Sequence, residues 1–189
     1  YPVAQFTQKL DEHDNAIGYQ KAAMLFHLLR QEVGDETFWR ALKKLVTQYH
    51  GRHAEWRDLE RVFAEESRQD LRWFFAQWLE QDGAPVLSLP EATARPVAGK
   101  PAQTFQLEAT IVQSNKPFRF PLQVRIRMEN GREQVLTVPL RSPREAISVT
   151  LPARPIAIDL DPEFMTIRRI ARQSLPPVLN HYVTDRRRS

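Results

Sequence analysis

At Gly83-Ala84-Pro85 the hydrophobic rhythm of this chain changes. Ahead of that point apolar residues recur at offsets of three and four, the spacing of one helix face. Behind it they alternate with polar residues, the spacing of a strand with one buried face. One chain cannot satisfy both periods with a single kind of layer. The pattern therefore predicts an α + β chain of two domains, a helical bundle segment over residues 1–84 and an all-β antiparallel sandwich over residues 85–171. Residues 172–189 read as a mostly flexible tail with an arginine-rich end.

The helical part is organised around Gly18-Tyr19-Gln20-Lys21-Ala22-Ala23-Met24-Leu25-Phe26-His27-Leu28-Leu29-Arg30. Ala22, Leu25, Phe26 and Leu29 fall on one face, and Met24 and Leu28 widen it until the helix is apolar nearly all round. Asn15 or Asp14 can cap its first turn, with residues 1–14 as a polar lead-in, and Gly34 suits its C-terminal end. A helix this apolar packs on more than one side. If a larger body surrounds it, some of Leu25, Phe26, Leu28 and Leu29 should be left uncovered. Asp35 and Glu36 open a second helix at its positive end, with Phe38, Leu42, Leu45, Val46 and Tyr49 inward and His50-Gly51 as its stop. A third runs from about Ala54 to Glu66 with Leu59, Val62 and Phe63 inward. Asp70 caps a fourth, from Leu71 to Leu79, closed by Gly83. Trp56, Phe63, Trp73, Phe74, Phe75 and Trp78 read as a core of large rings, with a ligand-stacking cage as the alternative.

Beyond Gly83 prolines become frequent and only one of the six glycines lies past residue 99. Phe105 to Ile111 and Phe118 to Met128 alternate strictly. Asn130-Gly131 then marks a hairpin turn, and Val135, Leu136 and Val138 return from it. Ile147–Leu151 and Pro155–Leu160 add strands, and Thr166 to Ile170 is a candidate for a last one. About seven short strands without helices between them predict a sandwich.

Composition narrows the chemistry. With no cysteine in the chain, thiolate, disulfide and cysteine-zinc readings drop out. No apolar run approaches the ~20 residues of a membrane-spanning helix, so no membrane span is expected. The missing initiator methionine suggests a mature product or a fragment. Cytoplasm and periplasm suit the chain equally. Residues 1–84 carry 11 Lys and Arg against 14 Asp and Glu, and residues 85–189 carry 16 against 9, a net of +7. Those basic residues mostly alternate with apolar ones, as on a solvated sheet face, and only Arg186-Arg187-Arg188 is clustered. Nucleic acid is not the expected partner.

No HExxH, EF-hand loop, G-x-S-x-G or phosphate-cradling glycine loop is present. Of the five histidines (His13, His27, His50, His53 and His181) only His50 and His53 are spaced for a shared metal, and Gly51 between them places the pair at a helix end. No metal ligand set is assigned. Tyr19 is the best single candidate for chemistry. A tyrosine phenol keeps its proton at neutral pH and can donate a hydrogen bond to a developing oxyanion, although the residues alone favour a structural tyrosine.

One resemblance changes that weighting. Tyr19-Gln20-Lys21-Ala22-Ala23-Met24, Gly34-Asp35-Glu36-Thr37-Phe38-Trp39, Asp58-Leu59 with Glu65, Asp70-Leu71, Trp73 to Leu79 and Gly83-Ala84-Pro85 are together similar to the end of the thermolysin-like catalytic domain in the aminopeptidase-N-like family of zinc metallopeptidases, the gluzincins. The strand half, including Leu160-Asp161-Pro162, resembles the β-sandwich that follows that domain. The resemblance implies that zinc, held upstream by two histidines and a glutamate, activates water in the parent protein. It implies that Tyr19 is the catalytic tyrosine that stabilises the oxyanion. Lys21 matches the family's neighbouring lysine, with a structural role, and Ala22 stands where glycine is usual.

The zinc motif itself is absent here, so 1–189 is expected to be inactive alone, with no cofactor of its own. Its expected partners are the upstream catalytic domain of the same polypeptide and, through it, the parent's peptide substrate. The alternative is a non-catalytic scaffold or protein-binding module on the same fold. A nucleic-acid-binding sandwich is a third reading, resting only on the charge of the second half.

Overall fold

A computed structural model describes residues 1–98 and 104–170, and the tail expected over 172–189 lies outside them. Four helical segments come first. A continuous helix runs through α1 (Glu12–Asn15), a π-helical stretch (Ala16–Lys21) and α2 (Ala22–Val33). It is followed by α3 (Asp35–Tyr49), α4 (Trp56–Ser67), and α5 (Arg72–Phe75) with a second π-helical stretch (Ala76–Glu80). Six strands follow: β1 (Leu87–Pro96), β2 (Phe105–Gln113), β3 (Phe120–Met128), β4 (Glu133–Leu140), β5 (Arg144–Leu151) and β6 (Pro155–Leu160). A helical bundle followed by an antiparallel β region is the architecture that the change of period predicted.

The first helix starts earlier than expected. Its cap is Asp11, whose side chain accepts from the Asp14 amide at 2.9 Å, and neither Asp14 nor Asn15 takes that place. Asp14 is engaged elsewhere: it accepts from the Tyr1 hydroxyl and from the Leu10 amide. The lead-in is also not wholly a polar loop. Val3–Gln5 form a 3-10 turn with Val3 buried. Gly34 ends α2 at φ 82°, a left-handed position that costs a glycine little.

Of the four residues of which some were expected to be left uncovered, Leu25, Leu28 and Leu29 are buried, enclosed by the helices and the lead-in. Phe26 stays half-buried, packed against Trp56 at 6.1 Å. The inner face of α3 is narrower than predicted. Phe38, Ala41 and Leu45 are buried, whereas Val46 and Trp39 face solvent. The buried residues follow the i, i+3, i+7 stripe, with Leu42 and Tyr49 half-buried beside it. Tyr49 closes this helix against α4, its hydroxyl donating to Asp58 at 2.6 Å. Asp58 belongs to the capping box of α4, accepting from the Glu55 amide.

The strands form two three-stranded antiparallel sheets, in the orders β1-β2-β5 and β4-β3-β6. Leu107, Ala109 and Ile111 on β2, and Leu122, Val124, Ile126 and Met128 on β3, are buried as the alternation requires. The Asn130-Gly131 turn joins β3 to β4. The Gly131 amide bonds Met128 at 3.0 Å, and Gly131 takes φ 78°.

Two strand expectations need correction. Leu87–Pro96 is a strand although two prolines and four polar or charged side chains hide it. It lies at a sheet edge, where a missing amide is tolerated, and its pairing slips between Ser88 and Glu91, around Pro90. Thr166 to Ile170 is not a strand; only Arg169 pairs, by a bridge to Val86. Asp161 in the Leu160-Asp161-Pro162 stretch is buried, and Arg168 donates to it at 3.0 Å.

The apolar core runs without a break from the helices into the strands. Trp78, 1% exposed, lies 5.1 Å from Phe118 and 6.1 Å from Phe120. Around it, Gln77 accepts from the Arg119 amide at 2.6 Å and donates to the Arg119 carbonyl at 2.9 Å, as a strand neighbour would. The Arg119 guanidinium lies over Trp73 at 4.2 Å. Of the six aromatic residues between 56 and 78, Phe63, Phe74, Phe75 and Trp78 are buried, while Trp56 and Trp73 are half-buried at its edge. They act as core rings.

Candidate functional site

Tyr19 lies within the π-helical stretch Ala16–Lys21, ahead of the regular helix that the apolar pattern identified. A π turn inserts one residue into the helix, interrupts the i to i−4 ladder and re-aims the side chains it carries; such turns recur at functional sites. Tyr19 is 59% exposed, and its hydroxyl has no hydrogen-bond partner among the described residues. A phenol placed this way has its proton available to an incoming acceptor. The ring of Phe6 meets it edge-on at 5.7 Å and 76°.

Lys21 closes the same π stretch. Its ammonium donates to the carbonyl oxygens of Gln81 at 3.4 Å and Gly83 at 3.1 Å. Those carbonyls belong to the turn that follows the last helix, so the cation sits where the macrodipole is negative. Burial lowers the pKa of Lys21, and the charge of Asp82 opposes that effect. The lysine thus ties the Tyr19 helix to the joint with the strands, as a structural role requires. Ala22, where the resemblance sets glycine, continues the helix at φ −62° without disturbance.

A cavity of about 600 Å³ opens beside this helix, lined chiefly by Phe6, Phe26, His53, Glu55, Trp56 and Leu59. Its floor is aromatic and its rim charged. Phe6 belongs both to this wall and to the contact with Tyr19. Phe6 carries no signal at the level of sequence, because nothing in its neighbourhood is periodic. The signals available were Val3, three residues before it, and Gly18, an unusual residue inside a helix.

The other candidates stay apart from the tyrosine. His50 follows the end of α3 and His53 precedes α4, both exposed, as Gly51 implied. His27 is half-buried and bonded to Gln31 at 2.9 Å. Among the described residues no group of three or more His, Asp or Glu side chains is placed to hold a metal ion, and no helix is long and apolar enough to cross a membrane.

Residues 2–78 match the model of the Peptidase family M1 domain. Aminopeptidase N of Lactococcus lactis is 40% identical over 75 residues, which are 40% of this chain and 9% of that protein. Aminopeptidase M1-C of Oryza sativa is 32% identical over 81 residues, 43% of this chain and 9% of that protein. A probable aminopeptidase 1 of Sulfurisphaera tokodaii is 25% identical over 130 residues, 68% of this chain and 15% of that protein. The chain therefore spans a small part of the length of the curated relatives it matches. A solved structure of Legionella pneumophila aminopeptidase A in complex with aspartic acid superposes with a TM-score of 0.59 at 22% identity, covering 82% of this chain and 18% of that one. That likeness concerns the fold. The match to the M1 domain model lies within the helical half.

Proposed function

We propose that this chain is the C-terminal part of a zinc-dependent, aminopeptidase-like enzyme. Residues 1–84 would complete its catalytic domain, and residues 85–171 would form a β-sandwich that braces it. Tyr19 is the residue through which this part takes part in catalysis, by donating a hydrogen bond to the oxyanion that develops on the peptide carbonyl. The observation that carries the reading is the exposed Tyr19 hydroxyl, without a partner among the described residues, on a π turn within the stretch that matches the M1 domain. The described residues offer no set of side chains that could hold zinc, so the chain alone should not hydrolyse peptides. The upstream catalytic domain of the same polypeptide is the natural partner, and the peptide reaches Tyr19 only through it.

The test is Tyr19→Phe in the full-length gene product. A lost oxyanion donor costs roughly 10²- to 10³-fold in kcat, with KM little changed because the contact forms in the transition state. An unchanged kcat overturns the assignment. A scaffold or protein-binding module is the second reading. It draws on exposed Val135 on β4 and Ile156 on β6, both edge strands and open to pairing. A full-length product that never shows peptidase activity favours it.

A further inference from the structure

Exposure leaves a tyrosine ring free to take several rotamers, and a donor of a single transition-state hydrogen bond needs one. The lead-in segment supplies the constraint. Val3 is buried in the core and opens a turn fixed by Gln5 N–H donating to Pro2 O at 3.1 Å and Phe6 N–H donating to Val3 O at 3.0 Å. Farther along, Asp14 holds the lead-in to the helix by accepting from the Tyr1 hydroxyl and from the Leu10 amide at 2.8 Å. Between these two anchors Phe6 lays its ring on the backbone of Gly18. A Cβ at Gly18 would overlap the Cδ2, Cε2 and Cζ atoms of that ring. A glycine inside a helix is unfavourable against alanine; here its bare backbone is the seat on which the ring rests. The same ring then stands edge-on to Tyr19 at 5.7 Å and 76°, an arrangement that aromatic pairs favour.

We propose that Phe6, seated on Gly18, is a positioning residue for Tyr19: its ring holds the phenol in one orientation on the π turn. The catalytic meaning of that orientation rests on the function proposed above; the positioning itself is a property of this chain. Gly18 serves this purpose and not a backbone one, since it lies in a continuous helical run. Any larger side chain there evicts Phe6 and releases Tyr19 in the same step.

The experiment is fluorine NMR of the full 189-residue chain labelled with 3-fluorotyrosine, the Tyr19 signal being assigned by its loss in Tyr19→Phe. The Tyr19 signal is expected away from the unfolded-chain position, through the ring current of Phe6. Phe6→Leu and Gly18→Ala should each return it towards that position, while the Tyr49 signal stays in place. Phe6→Trp, which keeps an aromatic ring and takes up no label, should hold the signal away from the unfolded-chain position, and Gly18→Ala should add nothing in a Phe6→Leu background. A Tyr19 signal that Phe6→Leu does not move overturns the proposal. In the full-length product Phe6→Leu should lower kcat about 3- to 10-fold, the fold-change such an aromatic pair is worth, with KM unchanged and no further effect in a Tyr19→Phe background. If Tyr19→Phe leaves kcat untouched, the catalytic reading fails by itself, and the NMR shifts still decide whether Phe6 positions the ring.

Discussion

The Lys21 ammonium reaches across the fold to the carbonyl oxygen of Gly83, 3.1 Å away and sixty-two positions later in the chain. With its second bond to Gln81, this contact locks the start of the bundle to the turn where helices give way to strands. Two segments are thereby fixed relative to each other: the π stretch that carries Tyr19 and the last helical segment, which carries Trp78.

Lys21→Met keeps the length and the apolar stem of the side chain and removes the charge that both carbonyls accept. A hydrogen bond from a charged donor contributes about 1.5–3 kcal/mol when buried. This one is only half-buried and water can replace part of it, so a loss of about 1–2 kcal/mol is expected. A lowered urea midpoint at unchanged slope is the readout, and an unchanged midpoint would mean that the clamp is cosmetic.

Trp78 makes a second link across the same joint, through apolar contact with Phe118 and Phe120 in place of charge. Trp78→Ala should cost about 3–5 kcal/mol. Because the core is continuous, the loss should be felt on both sides. Hydrogen exchange is expected to quicken in β3 as well as in α5. Acceleration confined to the helices would show that the strand half stands without them.

Tyr19 invites the opposite expectation. Its hydroxyl has no partner among the described residues and its ring is largely exposed, so Tyr19→Phe should leave the stability of the chain within about 0.5 kcal/mol. Thermal unfolding of the variant and the parent should superimpose. A marked loss would mean that the hydroxyl is engaged in the fold, and the case for a free donor would fall.

What the sequence made legible follows from where its signals are periodic. The stops at Gly34 and Gly51, the inward triplet Leu59, Val62 and Phe63, and the alternation of β2 and β3 all repeat one local rule over several residues, and each is found. The misses have different causes. Asp11, Asp14 and Asn15 share the same capping chemistry, and only the contacts of Asp14 with Tyr1 and Leu10 decide among them. A π stretch inserts one residue and leaves no period behind, so nothing announced that Tyr19 would sit on one. β1 is solvated on most of its surface, so selection for burial never wrote an alternation into it. Phe6 matters through contacts made twelve and thirteen residues away, on a glycine and a tyrosine. Tyr19 was found as a candidate, but the residue that holds it was not.

Asp70 offers a test by pH. Arg72 binds it through both guanidinium arms, at 2.9 and 2.6 Å, and through its amide at 3.1 Å. That pairing pulls the carboxyl down to about 2, against an unfolded value of ~3.9. Between those two values the unfolded chain binds the proton and the folded chain does not. Asp70 therefore stabilises the fold fully above about pH 4, and its contribution is lost as the pH falls through about 2. Asp14, Asp35, Asp58, Glu65 and Glu66 are lowered as well by their own partners, so the parent's acid limb mixes several groups. The difference between the parent and Asp70→Asn isolates one of them, because asparagine keeps one acceptor oxygen for the Arg72 amide and gives up the charge and the second acceptor for the guanidinium. Melting temperatures followed from pH 6 down to pH 2 should show the variant less stable at the upper end, with the two curves converging below pH 4. Curves that stay parallel throughout would show that the Arg72 pair forms equally in the unfolded chain and contributes nothing to the fold.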